Sequence, residues 1–125
     1  MQPGGRYFFK VQLLHGCNFK IGICKTNRVT EIAFCDSNDG YAYYSAGQLR
    51  NGSKTCGKKY GKAYKGTDDQ DIVGVYVDLI EGRIFFSKNG EVFPTAFEGN
   101  MLLNQEFYPA CCCLTKGESY EVLLP

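Results

Sequence analysis

Alternation of apolar and polar side chains is the clearest periodic signal along this chain. Residues 7–13 place aromatic or aliphatic side chains at every second position, with lysine and glutamine between the later ones. A period of two predicts a half-buried β-strand. The same alternation returns at residues 19–24 and 73–79, whereas no segment of useful length has helical periodicity. The pattern therefore predicts a chain built from strands.

Two turns follow the strand at 73–79, and the second has a specific geometry. Asn-Gly between two extended runs is typical of a two-residue type I′ hairpin, because both central residues need a positive φ. A loop at residues 89–90 places Lys88 opposite Glu91 and Phe86 opposite Phe93. An opposite-charge pair and an aromatic pair are both favourable across strands. Register and side-chain chemistry therefore both predict a three-stranded meander.

The remaining segments predict shorter strands separated by turns. Residues 41–45, 107–114 and 119–124 are extended candidates, and glycines recur through a stretch at 48–66 that has almost no aliphatic residue. This stretch is predicted to be a long loop with short extended pieces. Eight to ten short strands with frequent turns predict an all-β fold, a two-sheet antiparallel β-sandwich.

Composition limits the possible classes of protein. The chain has 125 residues, a formal net charge of +1, seven cysteines and one histidine. This length is typical of one domain, and the charge balance argues against a globally basic nucleic-acid binder. No apolar run approaches the ~20 residues that a membrane-spanning helix needs. The odd number of cysteines and the lack of a secretory pattern at the start favour reduced thiols, so we expect a cytoplasmic or nuclear protein.

Candidate chemistry is sparse. His15 has no partner motif for acid–base or nucleophilic catalysis, and one histidine with dispersed cysteines does not suggest a metal site, so we expect no enzyme, cofactor or metal. Residues 50–65 contain six basic side chains and no acidic one, interleaved with Tyr60 and Tyr64. This basic segment could track an RNA backbone while the tyrosines stack on bases. The alternative is a solvated surface without a ligand.

Several segments, in order along the chain, resemble the SPRY domain, the sandwich also found within PRYSPRY modules. The similarity rests on these pieces: Gly5–Val11, Ile21–Ile23, Tyr60–Gly61, Asp71–Asp78, Gly82–Gly90, Ala96–Phe97 and Phe107–Ala110. The most characteristic are an Asp-Ile-Val-Gly strand at residues 71–74 and the hairpin that ends in Asn-Gly. Each piece alone is common, but their order over residues 5–125 is specific.

The chain also departs from the family pattern. It has no tryptophan where the family often places one after the Asp/Gly turn, Gln70 stands where glycine is usual, and Pro94 is expected to end a strand ladder. Family members usually have further strands before the one that opens at Arg6. We therefore expect one SPRY-like domain over residues 1–125, either a minimal version or a segment of a larger protein. An uncovered strand edge leaves the oligomeric state open.

The resemblance implies a non-catalytic module that binds a short segment of another protein through loops at one end of the sandwich. Such modules often serve substrate recognition by ubiquitin ligases, or scaffolding. By position, the expected contacts come from the link at 25–28, the turn and strand at 36–44, and the loop at 50–60. The candidate peptide-binding residues are Lys25, Asn27, Tyr41, Tyr43, Tyr44, Arg50 and Lys54. Alternate tyrosines point to opposite faces, so one set is expected to fill the core instead.

Overall fold

The computed structural model describes residues 1–25 and 33–123, whose regular structure is almost entirely β-strand. One short 3-10 helix, η1 (Asn100–Leu102), lies between the eighth and ninth strands. The strands are β1 (Arg6–His15), β2 (Phe19–Cys24), β3 (Gly40–Tyr44), β4 (Gln48–Asn51), β5 (Thr55–Lys59), β6 (Ile72–Asp78), β7 (Arg83–Lys88), β8 (Glu91–Glu98), β9 (Tyr108–Cys113) and β10 (Ser119–Leu123). In this part of the chain no helix is long and apolar enough to cross a membrane.

The strands form two five-stranded sheets in which every pairing is antiparallel. Sheet A has the order β10-β1-β6-β7-β8, and sheet B has the order β5-β4-β3-β2-β9. Apolar side chains at alternate positions of both sheets fill the space between them, as the period of two requires. The all-β, two-sheet antiparallel sandwich predicted from the sequence is confirmed.

Aromatic rings occupy the centre of the sandwich. Tyr43 on β3 is fully buried, and its ring centroid lies 5.4 Å from Tyr60, 4.7 Å from Tyr64 and 5.4 Å from Phe86. Tyr41, on the same face of β3, packs edge-on against Phe97 and Phe107. Packed rings at these distances stabilise beyond their buried area. Tyrosines are therefore central members of this hydrophobic core.

The predicted turn at residues 89–90 is present. Asn89 and Gly90 have φ values of 49° and 87°, as a type I′ turn requires, and Lys88 pairs with Glu91. Local sequence therefore predicts this turn and the Lys88–Glu91 pair beside it correctly.

The expected pairing farther along this hairpin differs because β8 contains a bulge. Ser87 pairs with Val92 and Phe85 with Thr95, so Phe93 and Pro94 together lie opposite Phe86. A bulge leaves one residue outside the ladder, and proline, which has no N–H to donate, is tolerated there. Strand β8 continues to Glu98. The expectation that Pro94 ends the ladder is therefore wrong.

Residues 48–59 are more ordered than the prediction of a long loop. Strands β4 and β5 pair as a hairpin and extend sheet B, with a register shift after Leu49 and a positive φ of 82° at Gly57. The true loop is confined to residues 60–71 between β5 and β6. This loop is held against the core because Tyr60 and Tyr64 are both buried.

Candidate protein-interaction surface

The outer face of sheet B contains two of the predicted contact residues, Tyr44 and Arg50. Directly paired residues share a face, so Lys20 on β2, Tyr44 on β3 and Gln48 on β4 form one row. The adjacent row contains Ala42, Arg50 and Cys56. Tyr44 and Arg50 are therefore diagonal neighbours on one face, although they are six positions apart along the chain.

Tyr44 is fixed by a buried lysine beneath it. The Lys20 side chain is only 7% exposed, its Nζ lies 5.7 Å from the centre of the Tyr44 ring, and it pairs with Asp36 Oδ1 at 3.3 Å. A buried ammonium needs such partners, since a charge without them would be costly. Tyr44 itself remains half-buried. One face of its ring thus contacts the lysine, while the exposed part of the side chain can reach a ligand.

A dense positive charge lies beside Tyr44 on the β4–β5 hairpin. We call this the basic hairpin, comprising Arg50, Lys54, Lys58 and Lys59. Of the six basic residues between positions 50 and 65, Lys62 pairs with Glu91 at 2.8 Å and Lys65 with Asp69 at 3.9 Å. Within residues 1–25 and 33–123, no acidic side chain pairs with the basic hairpin. Its charge is therefore uncompensated by the described protein.

Two further predicted residues lie at one end of sheet B. Lys25 follows β2 directly, and its Nζ lies 3.9 Å from Asp39 Oδ1. Lys54 is exposed at the tip of the basic hairpin. The Asn51 side chain bridges these loops by donating to the carbonyls of Asn38 at 3.0 Å and Gly40 at 2.7 Å. Asn27, the remaining predicted residue of this link, lies outside the described residues.

Tyr41 and Tyr43 do not contribute to this surface. They are 3% and 0% exposed, respectively, and the Tyr43 hydroxyl donates to the Lys62 carbonyl inside the sandwich. Burial raises the pKa of Tyr43 to about 12, although that hydrogen bond opposes the change. Both tyrosines belong to the core set allowed for in the sequence analysis, and a partner cannot reach their rings in this fold. The prediction that Tyr41 and Tyr43 contact a partner is therefore corrected: both are core residues.

Cys35 lies under the same surface, and its buried thiol is expected to be unreactive. Its carbonyl accepts a hydrogen bond from the Gly52 N–H at 2.8 Å, which joins the 33–39 segment to the basic hairpin. Burial raises the pKa of the Cys35 thiol to about 12, and the nearby Lys20 and Arg50 only partly oppose it. A thiol that stays protonated is a poor nucleophile. This surface therefore supports binding better than covalent chemistry.

The predicted list omitted residues that complete the surface. Lys20 in β2 and Asp36 in the following turn form an ion pair that local sequence does not predict. Lys59 pairs with Gln48 and lies on this face, whereas Lys58 pairs with the buried Leu49 and extends the positive charge along the hairpin edge. The sequence signal for this surface is the stretch from position 48 to 66, which has no acidic residue. Of its six basic residues, only Arg50 and Lys54 are among the predicted contact residues. No group of acidic, histidine or cysteine side chains in the described residues could hold a metal ion.

Comparison with known proteins identifies the fold. The family model described as "SPRY domain" matches residues 6–125. This chain belongs to the SPRY domain family. The crystal structure of the SPRY domain of human HERC1 is 20% identical, with a TM-score of 0.72, and the match covers 98% of this chain and 75% of that one. A second human SPRY domain structure is also 20% identical, with a TM-score of 0.76, over 93% and 74% of the two chains.

Membership gives this SPRY domain a coarse function. The family is one of protein-interaction modules that are generally non-catalytic. The ligand does not follow from these two structures, because at 20% identity the likeness concerns the fold alone. Specificity in such modules depends on loops and surface side chains carried by a rigid scaffold. The chemical class of the partner must therefore be inferred from the surface side chains of this chain.

Proposed function

We propose that this SPRY domain binds an acidic segment of a partner protein through Tyr44 and the basic hairpin. The observation that carries the proposal is the uncompensated charge of Arg50, Lys54 and their neighbours beside a half-buried tyrosine. Arginine and tyrosine are enriched among the residues that dominate protein interfaces. Positive charge without acidic neighbours also steers an acidic partner towards the site. Lys25 stands at the end of the same sheet and would extend the contact.

The cellular role proposed with this activity is substrate recognition for a ubiquitin ligase, or scaffolding, in the cytoplasm or nucleus. Both roles need a rigid module that holds a short linear segment, and neither needs a cofactor. Cys17, Cys35, Cys56 and the three cysteines of the Cys111–Cys113 run are free thiols in the structure. Free thiols suit a reducing compartment. We propose residues 1–125 as one binding domain.

RNA binding is the second candidate, because the same cations could contact phosphates. The tyrosines that were expected to stack on bases face inwards. Tyr60 is 8% exposed and donates to the Pro94 carbonyl at 2.6 Å, whereas Tyr64 is 2% exposed and donates to the Tyr43 carbonyl at 2.5 Å. Buried rings offer no stacking platform for single-stranded nucleic acid. This favours a protein partner.

The test is affinity capture from a reducing cell extract at two salt concentrations. The native domain is compared with the Tyr44→Ala, Arg50→Glu variant. The matched control is Tyr120→Ala, Lys116→Glu, which has the same Tyr→Ala substitution and the same change of charge elsewhere. We expect a protein retained at both salt concentrations by the native domain and the control, and lost from the Tyr44 variant. Truncated interface hot spots cost about 2 kcal/mol or more of binding free energy.

Two outcomes would contradict the proposal. Equal capture by the Tyr44, Arg50 variant would reject the site, provided that its thermal unfolding transition is intact. Nuclease-sensitive capture that disappears at the higher salt would assign the surface to RNA, because each neutralised phosphate releases counterions.

A further inference from the structure

The outer face of sheet A carries a continuous row of aromatic rings. Phe8 pairs with Tyr76 across β1 and β6, and Tyr76 pairs with Phe85 across β6 and β7. The ring centroids of Phe8 and Tyr76 lie 4.5 Å apart, and those of Tyr76 and Phe85 lie 4.6 Å apart and nearly parallel, at 4°. All three side chains are half-buried although they point away from the core. A contiguous, partly exposed aromatic row of this kind is a candidate interaction site.

A charged row runs beside the aromatic row. Arg6, Asp78 and Arg83 are paired across the same three strands, two residues further along and therefore on the same face. Together with the rings they line a concavity of about 400 Å³ that is open to solvent. The volume is within the range of small binding clefts, and its lining combines apolar rings with a few polar groups. The concavity therefore has the composition of a binding site.

The polar capacity left open in this concavity is mainly that of donors. Asp78 Oδ1 accepts the backbone N–H groups of Ile80 at 2.9 Å and Glu81 at 3.0 Å, and Oδ2 accepts Arg6 Nε at 3.2 Å. Burial alone would raise the pKa of Asp78, but these hydrogen bonds and the Arg6 charge lower it. Its carboxylate thus stays ionised and is already occupied by three donors.

The guanidinium groups are used only in part. Arg6 contacts Asp78 through Nε, and Arg83 Nε lies 3.8 Å from Glu81 Oε2. Among the described residues the terminal Nη groups of both arginines have no hydrogen-bond partner, and the two side chains are 63% and 45% exposed. A guanidinium fork matches a carboxylate in two parallel hydrogen bonds. Glu81, itself 60% exposed, competes for this position, and Glu98 lies directly opposite Arg83 on β8.

We propose that this concavity is a second docking surface, which binds an extended segment of a partner protein that carries an apolar side chain next to an aspartate or glutamate. The apolar side chain packs on Tyr76 and Phe85, and the carboxylate binds Arg83 and Arg6. The surface lies on the opposite sheet from the basic hairpin, so it is independent of the proposed function. A domain with both surfaces can hold two segments at once, which raises overall affinity without new contacts at either site.

A protein segment fits the row better than a nucleobase. Tyr76 and Phe85 stack on each other, and the Lys10 Nζ lies 5.6 Å from the centre of the Phe8 ring. A neighbouring ring or cation therefore already covers part of each ring, which leaves less ring surface for base stacking. Ring edges and the adjoining groove remain, and these suit aliphatic and aromatic side chains.

The test selects ligands from a random octapeptide library displayed on phage, using the intact 125-residue chain. Selected peptides are synthesised, and their dissociation constants are measured by fluorescence anisotropy against four variants. We expect selected sequences with an apolar residue beside Asp or Glu. Arg83→Gln should weaken binding about tenfold, as loss of a charge-assisted bidentate contact does. Phe85→Ala should weaken binding similarly, Glu81→Gln should tighten it, and Arg50→Glu should leave it unchanged.

Three outcomes would overturn this assignment. The first is selection of no peptide whose affinity depends on both Arg83 and Phe85. The second is selection of peptides without an acidic residue, or with affinities that Glu81→Gln does not raise. The third is self-association of the chain that Arg83→Gln abolishes, since the occupant would then be a second copy. Arg83 and Glu81 are exposed, so their substitutions test binding without removing core contacts.

Discussion

Two aromatic clusters of this domain have almost the same ring spacing but different surroundings. In the core, Tyr43 and Tyr64 have centroids 4.7 Å apart, and on the outer face of sheet A, Tyr76 and Phe85 have centroids 4.6 Å apart. The core tyrosines are buried and donate their hydroxyl groups to backbone carbonyls, whereas the outer rings remain partly open to solvent. The inner cluster therefore stabilises the sandwich, and the outer row is left free for binding.

The difference shows that aromatic content does not by itself distinguish a core from an interface. The core hydroxyls tie the 60–71 loop to sheet B, because Tyr43 bonds to Lys62 and Tyr64 bonds to the strand that carries Tyr43. A buried hydroxyl that lost its partner would destabilise the fold. The outer row has no comparable anchoring role. Hydrogen bonding, in addition to burial, therefore separates the two clusters.

The largest expected effect is on stability, when removal of one core ring is compared with removal of one outer ring. Tyr43→Ala should lower the free energy of unfolding by about 3–5 kcal/mol, as truncation of a buried aromatic side chain does. Phe85→Ala should cost only about 1 kcal/mol, because it removes one partly exposed cross-strand pair. Urea denaturation of both variants measures the two values. Equal losses would contradict the distinction between a structural core cluster and a binding row.

A smaller effect concerns Asp78, which borders the outer row but is itself buried. Because its pKa is lowered in the folded state, its ionised form stabilises the fold above the ordinary pKa of 3.8, and this contribution is lost as the pH falls through the folded value. Asp78→Asn should therefore destabilise the domain at pH 7 and less so near pH 3. Denaturation of native and variant proteins at both pH values tests this, with the exposed Asp39→Asn as control. A destabilisation that does not shrink in acid would contradict the assignment.

The smallest effect separates buried from exposed thiols without changing stability. Cys17, Cys56 and Cys113 are exposed, whereas Cys24 and Cys35 are buried. Mass spectrometry after iodoacetamide treatment should show the three exposed thiols modified in the native protein and all seven after denaturation without reductant. Rapid native alkylation of Cys35 would contradict its burial, which raises its pKa to about 12. Fewer than six modified thiols after denaturation would contradict the reduced state.

Several parts of the fold followed from local sequence because local geometry decides them. Alternation predicted β1, β2 and β6, and Asn-Gly predicted the β7–β8 turn with its Lys88–Glu91 pair. The bulge opposite Phe86 was not predictable in this way. At this bulge Phe93 packs against Tyr43 on sheet B and against Tyr60 at the start of the 60–71 loop, contacts that local sequence does not specify. Packing between sheets therefore overrode the simple register.

The candidate sites, like the fold, depend partly on local sequence and partly on tertiary packing. The sequence by itself determined the all-β class, the family and the run of cations at residues 50–65, because periodicity, ordered motifs and charge are properties of the chain. Only the tertiary structure decided that Tyr43 faces inwards while Tyr44 lies beside Arg50, and that rings from three strands form one row outside sheet A. The physical reason is that alternation separates two faces of a strand, whereas only the packing of the sheets selects which face is buried.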